Sequence, residues 1–145
     1  MTGTSEAVTP RTCSIARTLE VVGERWALLA LREVFLGVRR FDAIHRNTGA
    51  PRDILSARLR KLLAAGLLER RQYQERPARF EYRLTEAGRD LLPVLLTLGD
   101  WGDKHLTDAE PAYSWGHRCG AEFHPRVVCE ACGEPVARRD LALRT

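Results

Sequence analysis

A mainly α fold carrying one small β-hairpin is what the sequence predicts, and three observations predict it. Through residue 66, apolar residues recur at helical spacing in four segments, most of them closed by a glycine. Over residues 67–85 the pattern changes to alternation around a Pro-containing turn. Over residues 85–106 the helical period returns. With 145 residues, 44% hydrophobic and 29% charged, the chain has the balance of one globular domain with a small appendage.

Residues 1–10 are polar and read as a disordered arm, without the apolar stretch of an export signal. Thr12 or Ser14 is placed to cap a first helix ending at Val22, in which Ile15, Leu19 and Val22 form one buried stripe. A second helix over 24–36 is apolar on most sides, which marks the central helix of a bundle. A short third helix over 41–47 has Asp42 as its cap and turns Phe41 and Ile44 inward. Asn47-Thr48-Gly49-Ala50-Pro51 is a turn, with Pro51 suited to the first position of a fourth helix over 51–65. In that helix Leu55, Leu59, Leu62 and Leu63 fall within ~100° of one another. Asp53, Ser56, Ala57, Arg60 and Lys61 lie opposite them.

Two strands follow, 67–74 and 79–85, joined by Glu75-Arg76-Pro77-Ala78. In the second, Phe80, Tyr82 and Leu84 share one face and Arg79, Glu81 and Arg83 the other. Thr85 then caps one long helix over 85–106, kinked by Pro93. Its apolar residues exceed one stripe, so part of that surface is left for a partner. Residues 11–106 thus form one domain, and 107–145 form a linker and a tail with a cysteine and histidine cluster.

A short helix, a Gly-containing turn and an amphipathic helix make a helix-turn-helix, and a hairpin after it makes a winged one. Charge agrees with that reading. The whole chain carries only +4, but residues 38–83 hold twelve basic and five acidic side chains, a net +7. A concentrated positive field is what phosphate binding needs. The major groove, about 12 Å wide, admits one helix. Arg52, Asp53, Ser56 and Arg60 are the expected readers of base edges, flanked by Arg58 and Lys61. Arg76 and Arg79 at the hairpin tip are expected along the backbone or in a minor groove, and Arg39 and Arg40 ahead of the third helix on phosphates. The partner these residues imply is double-stranded DNA.

The stretch from Cys13 to Trp26 (CSIARTLEVVGERW) resembles the opening of the HxlR-type winged-helix regulators. So do Leu36-Gly37-Val38-Arg39-Arg40-Phe41, Leu55-Ser56-Ala57-Arg58-Leu59 and Ala65-Gly66-Leu67-Leu68. The run PARFEYRLTEAG from Pro77 to Gly88 resembles that family's wing. The resemblance covers about residues 12–106. It implies a MarR-like homodimer on a pseudo-palindromic operator, with half-sites about 34–36 Å apart, acting in the cytoplasm and most often as a repressor. The first and last helices would lie in the dimer interface.

The resemblance also bears on Cys13, because some members sense oxidants or electrophiles through a cysteine at this N-terminal position. In the first turn of a helix and between Arg11 and Arg17, a thiolate is favoured. The plainer role is a small buried residue at a dimer interface. A small-molecule effector is the other expected signal, with Trp26, Phe35, Trp101 and Trp115 as candidate pocket walls.

The tail holds Cys129-x2-Cys132-Gly133, the pattern of a zinc knuckle. Cys119 is the third candidate ligand, and His117 or His124 the fourth. Such a zinc ion would be structural, since about thirty residues cannot bury a core of their own. Two competing functions remain. One is a thiol/disulfide oxidoreductase using Cys129 and Cys132, against which no thioredoxin-like βαβ pattern surrounds the pair. The other is a winged helix used only for protein–protein contact. The expectation is a DNA-binding regulator rather than an enzyme.

Overall fold

The computed structural model describes residues 10–106 and 108–144; the expected arm at 1–10 lies almost wholly outside them. The chain forms two units, Met1–Asp90 and Leu91–Thr145. The first contains α1 (Ser14–Val22), α2 (Arg25–Phe35), α3 (Phe41–Thr48), α4 (Arg52–Ala64), β1 (Leu68–Glu75), β2 (Ala78–Leu84) and the short α5 (Glu86–Arg89). The second contains α6 (Leu92–His105) and the tail.

The core of the first unit sits where α2, α3 and α4 meet. α2 gives Ala27, Ala30, Leu31 and Val34, α3 gives Ile44, and α4 gives Leu55, Leu59 and Leu62, all buried. Trp26, Leu28, Leu29 and Phe35 of α2 flank this centre half-buried, and its two alanines let the neighbouring helices approach. Glu24 caps α2, its carboxylate accepting from the Trp26 and Ala27 N–H groups.

Several local expectations change. Cys13, not Thr12 or Ser14, caps α1, and its Sγ accepts from the Ala16 N–H at 3.4 Å. Ile15 and Leu19 are exposed, and only Val22 of that stripe is buried within the chain. Arg40, not Asp42, occupies the cap position of α3 and makes no side-chain cap bond, since a guanidinium has no acceptor to offer; Asp42 lies in the first turn and pairs with Arg52. Pro51 stands one place before α4 rather than inside it.

β1 and β2 pair antiparallel, with Glu75 opposite Ala78, so the turn is Arg76-Pro77. Burial rises toward the base of the hairpin instead of alternating, because the tip extends away from the core. The hairpin is held at its base: the Tyr82 N–H donates to the Arg39 carbonyl at 2.7 Å and the Thr85 hydroxyl to the Gly66 carbonyl at 2.5 Å. The expected single helix over 85–106 is two helices. Thr85 caps α5 by accepting from the Gly88 N–H, and the break falls at Asp90 and Leu91. Pro93 does not kink α6; it lies in its first turn, where its missing N–H costs no helical bond. Among the described residues no helix is long and apolar enough to cross a membrane.

Candidate nucleic-acid interface

The turn between α3 and α4 is fixed by short-range bonds. Gly49 has φ 73°, a left-handed conformation suited to glycine, and its N–H donates to the His45 carbonyl. The Thr48 hydroxyl donates to the Ile44 carbonyl at 2.8 Å and accepts from the Ala50 N–H at 3.2 Å. α3 is also bolted to α2. Glu33 is buried, and its carboxylate accepts from Asn47 Nδ2 at 2.8 Å and from Arg32 Nε at 2.9 Å. A buried carboxylate is tolerated only with such partners.

With Leu55, Leu59 and Leu62 buried, geometry decides what α4 presents. Asp53, Arg60 and Lys61 are exposed and Ser56 half-buried. Among the described residues none of these four makes an intrachain ion pair or side-chain hydrogen bond. Two expected contacts are already engaged. Arg52 Nη2 lies 2.7 Å from Asp42 Oδ1, with its guanidinium over the Phe41 ring at 5.1 Å. That hydrogen bond and charge hold the Asp42 carboxyl below its ordinary pKa. Asp42 is therefore the acid paired with Arg52. Arg58, expected to flank the readers, turns toward the body of the domain. Its Nε lies 3.0 Å from Glu24 Oε2, close enough for an ion pair but without hydrogen-bond geometry.

The hairpin carries exposed Arg76 and Arg79 at its tip. Arg40 packs over Tyr73 at 4.3 Å and Arg70 over Phe80 at 4.3 Å, so two of the wing's aromatic rings are covered by cations rather than by core. Glu81 is hydrogen-bonded to Arg83 at 2.6 Å, and that contact, helped by the charges of Arg83, Arg39 and Arg40, lowers its pKa. The outer surface of α4, the hairpin tip and the segment at Arg39 and Arg40 thus each present exposed basic side chains.

The expected sensor and metal residues lie elsewhere. Cys13 is exposed at the start of α1. Trp26 and Phe35 are half-buried in the first unit, whereas Trp101 and Trp115 belong to the second and are exposed. Cys119, Cys129 and Cys132 are exposed free cysteines. The Cys129 thiol is held below its ordinary pKa by hydrogen bonds from the backbone of Cys132 and Ala131 and from the Cys132 side chain. His117 Nδ1 accepts from the Cys119 N–H at 3.2 Å. His124 lies 3.8 Å from Asp100 and 3.9 Å from Glu122. Among the described residues no three side chains of these types converge on one point.

Sequence reasoning missed Asp42 as a partner of Arg52, and the Glu33–Asn47 bond. Both join residues ten or more apart across a turn, and no periodic pattern signals them.

Comparison with known proteins agrees with the fold. Residues 21–110 match the family described as HxlR-like helix-turn-helix. An uncharacterized HTH-type transcriptional regulator of Mycobacterium tuberculosis is 50% identical over 130 residues, covering 88% of this chain and 82% of that protein. Among solved structures, the candidate transcription factor PA1607 is similar with a TM-score of 0.80 and 32% identity, over 92% of this chain and 94% of that one. That share cannot be reached without part of the tail. The reduced form of the redox regulator HypR is similar with a TM-score of 0.60 and 30% identity, over 65% of this chain and 94% of that one. A helix-turn-helix, a hairpin wing and a family match across more than half its length together make this chain a member of the HxlR-like helix-turn-helix family, a winged-helix transcriptional regulator.

Proposed function

We propose that the chain binds a pseudo-palindromic DNA operator as a homodimer, as a repressor whose affinity is set by the redox state of Cys13. The observation that carries this reading is the outer face of α4, where Asp53, Ser56, Arg60 and Lys61 have no partner among the described residues while Arg52 is paired with Asp42. α4 enters the major groove with Ser56 and Arg60 toward base edges. Arg39, Arg40, Arg76 and Arg79 take phosphates or a minor groove, which positions the domain. Arg58 belongs to the fold rather than to the DNA. The homodimer reading rests on the exposed apolar stripes of α1 and α6. The redox reading rests on Cys13 being exposed at a helix start, with its sulfur accepting a backbone N–H. A small-molecule effector is the alternative signal.

The test is binding of the purified chain to DNA from upstream of its own gene and to scrambled DNA of equal length, across a salt series. We expect the upstream DNA to bind at least 10³-fold more tightly, as specific sites do. Equal affinity for both would overturn the operator reading. Repeating the titration with hydrogen peroxide on wild type and Cys13→Ser separates the switch from the binding: oxidant should change wild-type affinity only.

A further inference from the structure

The tail contains two turns of one design, which the uneven spacing of its candidate ligands conceals. In the second, the Cys129 N–H donates to the Glu134 carbonyl at 2.9 Å and the Gly133 N–H donates to the Cys129 carbonyl at 2.7 Å. In the first, the His117 N–H donates to the Ala121 carbonyl at 2.9 Å and the Gly120 N–H to the His117 carbonyl at 2.9 Å. The bridges outside them correspond as well: Gly116 pairs with Glu122 and Val128 with Pro135. One step further out, the Phe123 N–H donates to the Trp115 carbonyl at 2.6 Å and the Val136 N–H to the Val127 carbonyl at 3.2 Å. Both turns close on a left-handed glycine, Gly120 with φ 92° and Gly133 with φ 75°.

This correspondence sets His117 against Cys129, Cys119 against Cys132, and Gly120 against Gly133, with one residue fewer in the first turn. It extends to the side chains. His117 Nδ1 accepts from the Cys119 N–H at 3.2 Å within the first turn, and in each turn the two candidate ligands stand at its first position and just before its glycine. Two ligands held at these places by one tight, glycine-closed turn are the arrangement of a metal knuckle. His124 belongs to neither turn and faces Asp100 and Glu122 instead.

The packing of the tail calls for a cross-link. Of the described residues at 108–144, only Phe123, Pro125 and Ala137 are even half-buried, and Val127, Val128 and Val136 are exposed. Turns without a core are not held by hydrophobic burial, and short segments of this kind are usually tied by a metal or a disulfide.

We infer that the tail is a double-knuckle site for one zinc ion, with His117, Cys119, Cys129 and Cys132 as its four ligands. The donor set, three thiolates and one imidazole, is that of a closed structural zinc site. The four side chains are paired turn by turn and do not share one point, so binding draws the two turns together, which no packed core opposes. Coordination by His117 replaces its contact with the Cys119 N–H, since the ring has one free lone pair. Three thiols lose protons to solvent as the ion binds.

The test uses the full chain, reduced, stripped with chelator and titrated with Zn²⁺ or Co²⁺ alone. We expect one ion per chain, with Co²⁺ giving the absorption of a tetrahedral thiolate site. Cys119→Ser, Cys129→Ser, Cys132→Ser and His117→Ala should each weaken binding at least 100-fold, while Cys13→Ser and His124→Ala leave it unchanged. His117→Cys should keep stoichiometric binding with a shifted Co²⁺ spectrum, which distinguishes ligand replacement from a misfolded tail. Absence of stoichiometric binding to the reduced wild type would overturn the site. Loss in His124→Ala with retention in His117→Ala would overturn the ligand assignment.

Discussion

Asp42, in the first turn of α3, and Arg52, the first residue of α4, form a 2.7 Å ion pair across the helix-turn-helix turn. Both side chains are largely exposed, so the pair contributes little stability. Its consequence is positional: it holds the Arg52 guanidinium at the start of α4 with Phe41 beneath it, the end that faces DNA in the proposed operator complex. In Asp42→Ala, Arg52 swings free and one negative charge leaves the surface. We expect binding to scrambled DNA to strengthen and discrimination for the operator to fall by about 10-fold or more, within the ~1–3 kcal/mol that one well-placed arginine contact supplies. Fluorescence anisotropy with both DNAs reads this, and unchanged discrimination would mean that Arg52 reads no base. The pH dependence has a definite sign. The folded pKa of Asp42 is depressed from 3.8, so the pair is fully formed above the ordinary carboxylate range and is lost only as pH falls through the depressed value. Between pH 7 and 5 the Asp42 contribution should stay constant.

Arg58 and Arg60, two residues apart on α4, should behave oppositely. Arg58 is tied to Glu24 at the start of α2, so Arg58→Ala should lower thermal stability by up to about 1 kcal/mol, after allowing for its partial exposure, and leave base preference alone. Arg60 is exposed; Arg60→Ala should leave the melting temperature unchanged and relax preference at one base position by ~1–3 kcal/mol. Melting curves and a panel of single-base operator variants separate the two. The double variant Arg76→Ala, Arg79→Ala should instead weaken all sequences alike and reduce the salt slope by about 2.

The two arginines also show how far the sequence could be read. The leucines of α4 repeat at helical spacing, so the buried side of α4 and hence its outer face were legible without a structure. Arg58 was not, because it stands at the flank of that face, where a long side chain can turn either way. The hairpin was legible from alternation and its Pro-containing turn, but alternation did not become alternating burial, since a two-stranded wing has no sheet or helix on its second side. The break after α5 was hidden for a different reason. Neither Asp90 nor Leu91 is a glycine or proline, and the nearby Pro93 is where a helix can begin. In the tail, spacing alone left His117 and His124 equivalent; backbone pairing distinguishes them.

Gly88 shows a constraint that neither charge nor periodicity reveals. It is buried in α5, and a Cβ there would run into the Leu67 carbonyl oxygen, backbone that cannot move aside without disturbing the base of the hairpin. Gly88→Ala should therefore destabilise the fold by about 1–3 kcal/mol despite alanine's better helix propensity. Gly99→Ala in α6, where a Cβ meets nothing within 4 Å, is the control. If Gly88→Ala melts at or above the wild-type temperature, α5 does not pack against the hairpin base this closely.

Exposed leucine on α1 and α6 leads to the last prediction. Ile15 and Leu19 of α1 are 72% and 56% exposed, and Val94, Leu98 and Trp101 of α6 are 55%, 54% and 55% exposed. Each set follows helical spacing, so each is a continuous stripe rather than scattered surface residues. Stripes of this kind on two helices are what an isologous interface covers, and each substitution there counts twice. Burying one such leucine is worth about 1.5–3 kcal/mol, and placing a carboxylate there adds a desolvation cost. Leu19→Glu and Leu98→Glu should each shift the chain from dimer toward monomer in light scattering at micromolar concentration, with α-helical content retained. Operator affinity should fall with the dimer, since one half-site offers half the contacts. A wild-type chain that is monomeric throughout would overturn the dimer, and a Leu19→Glu, Leu98→Glu double variant that stays dimeric would place the interface on another surface.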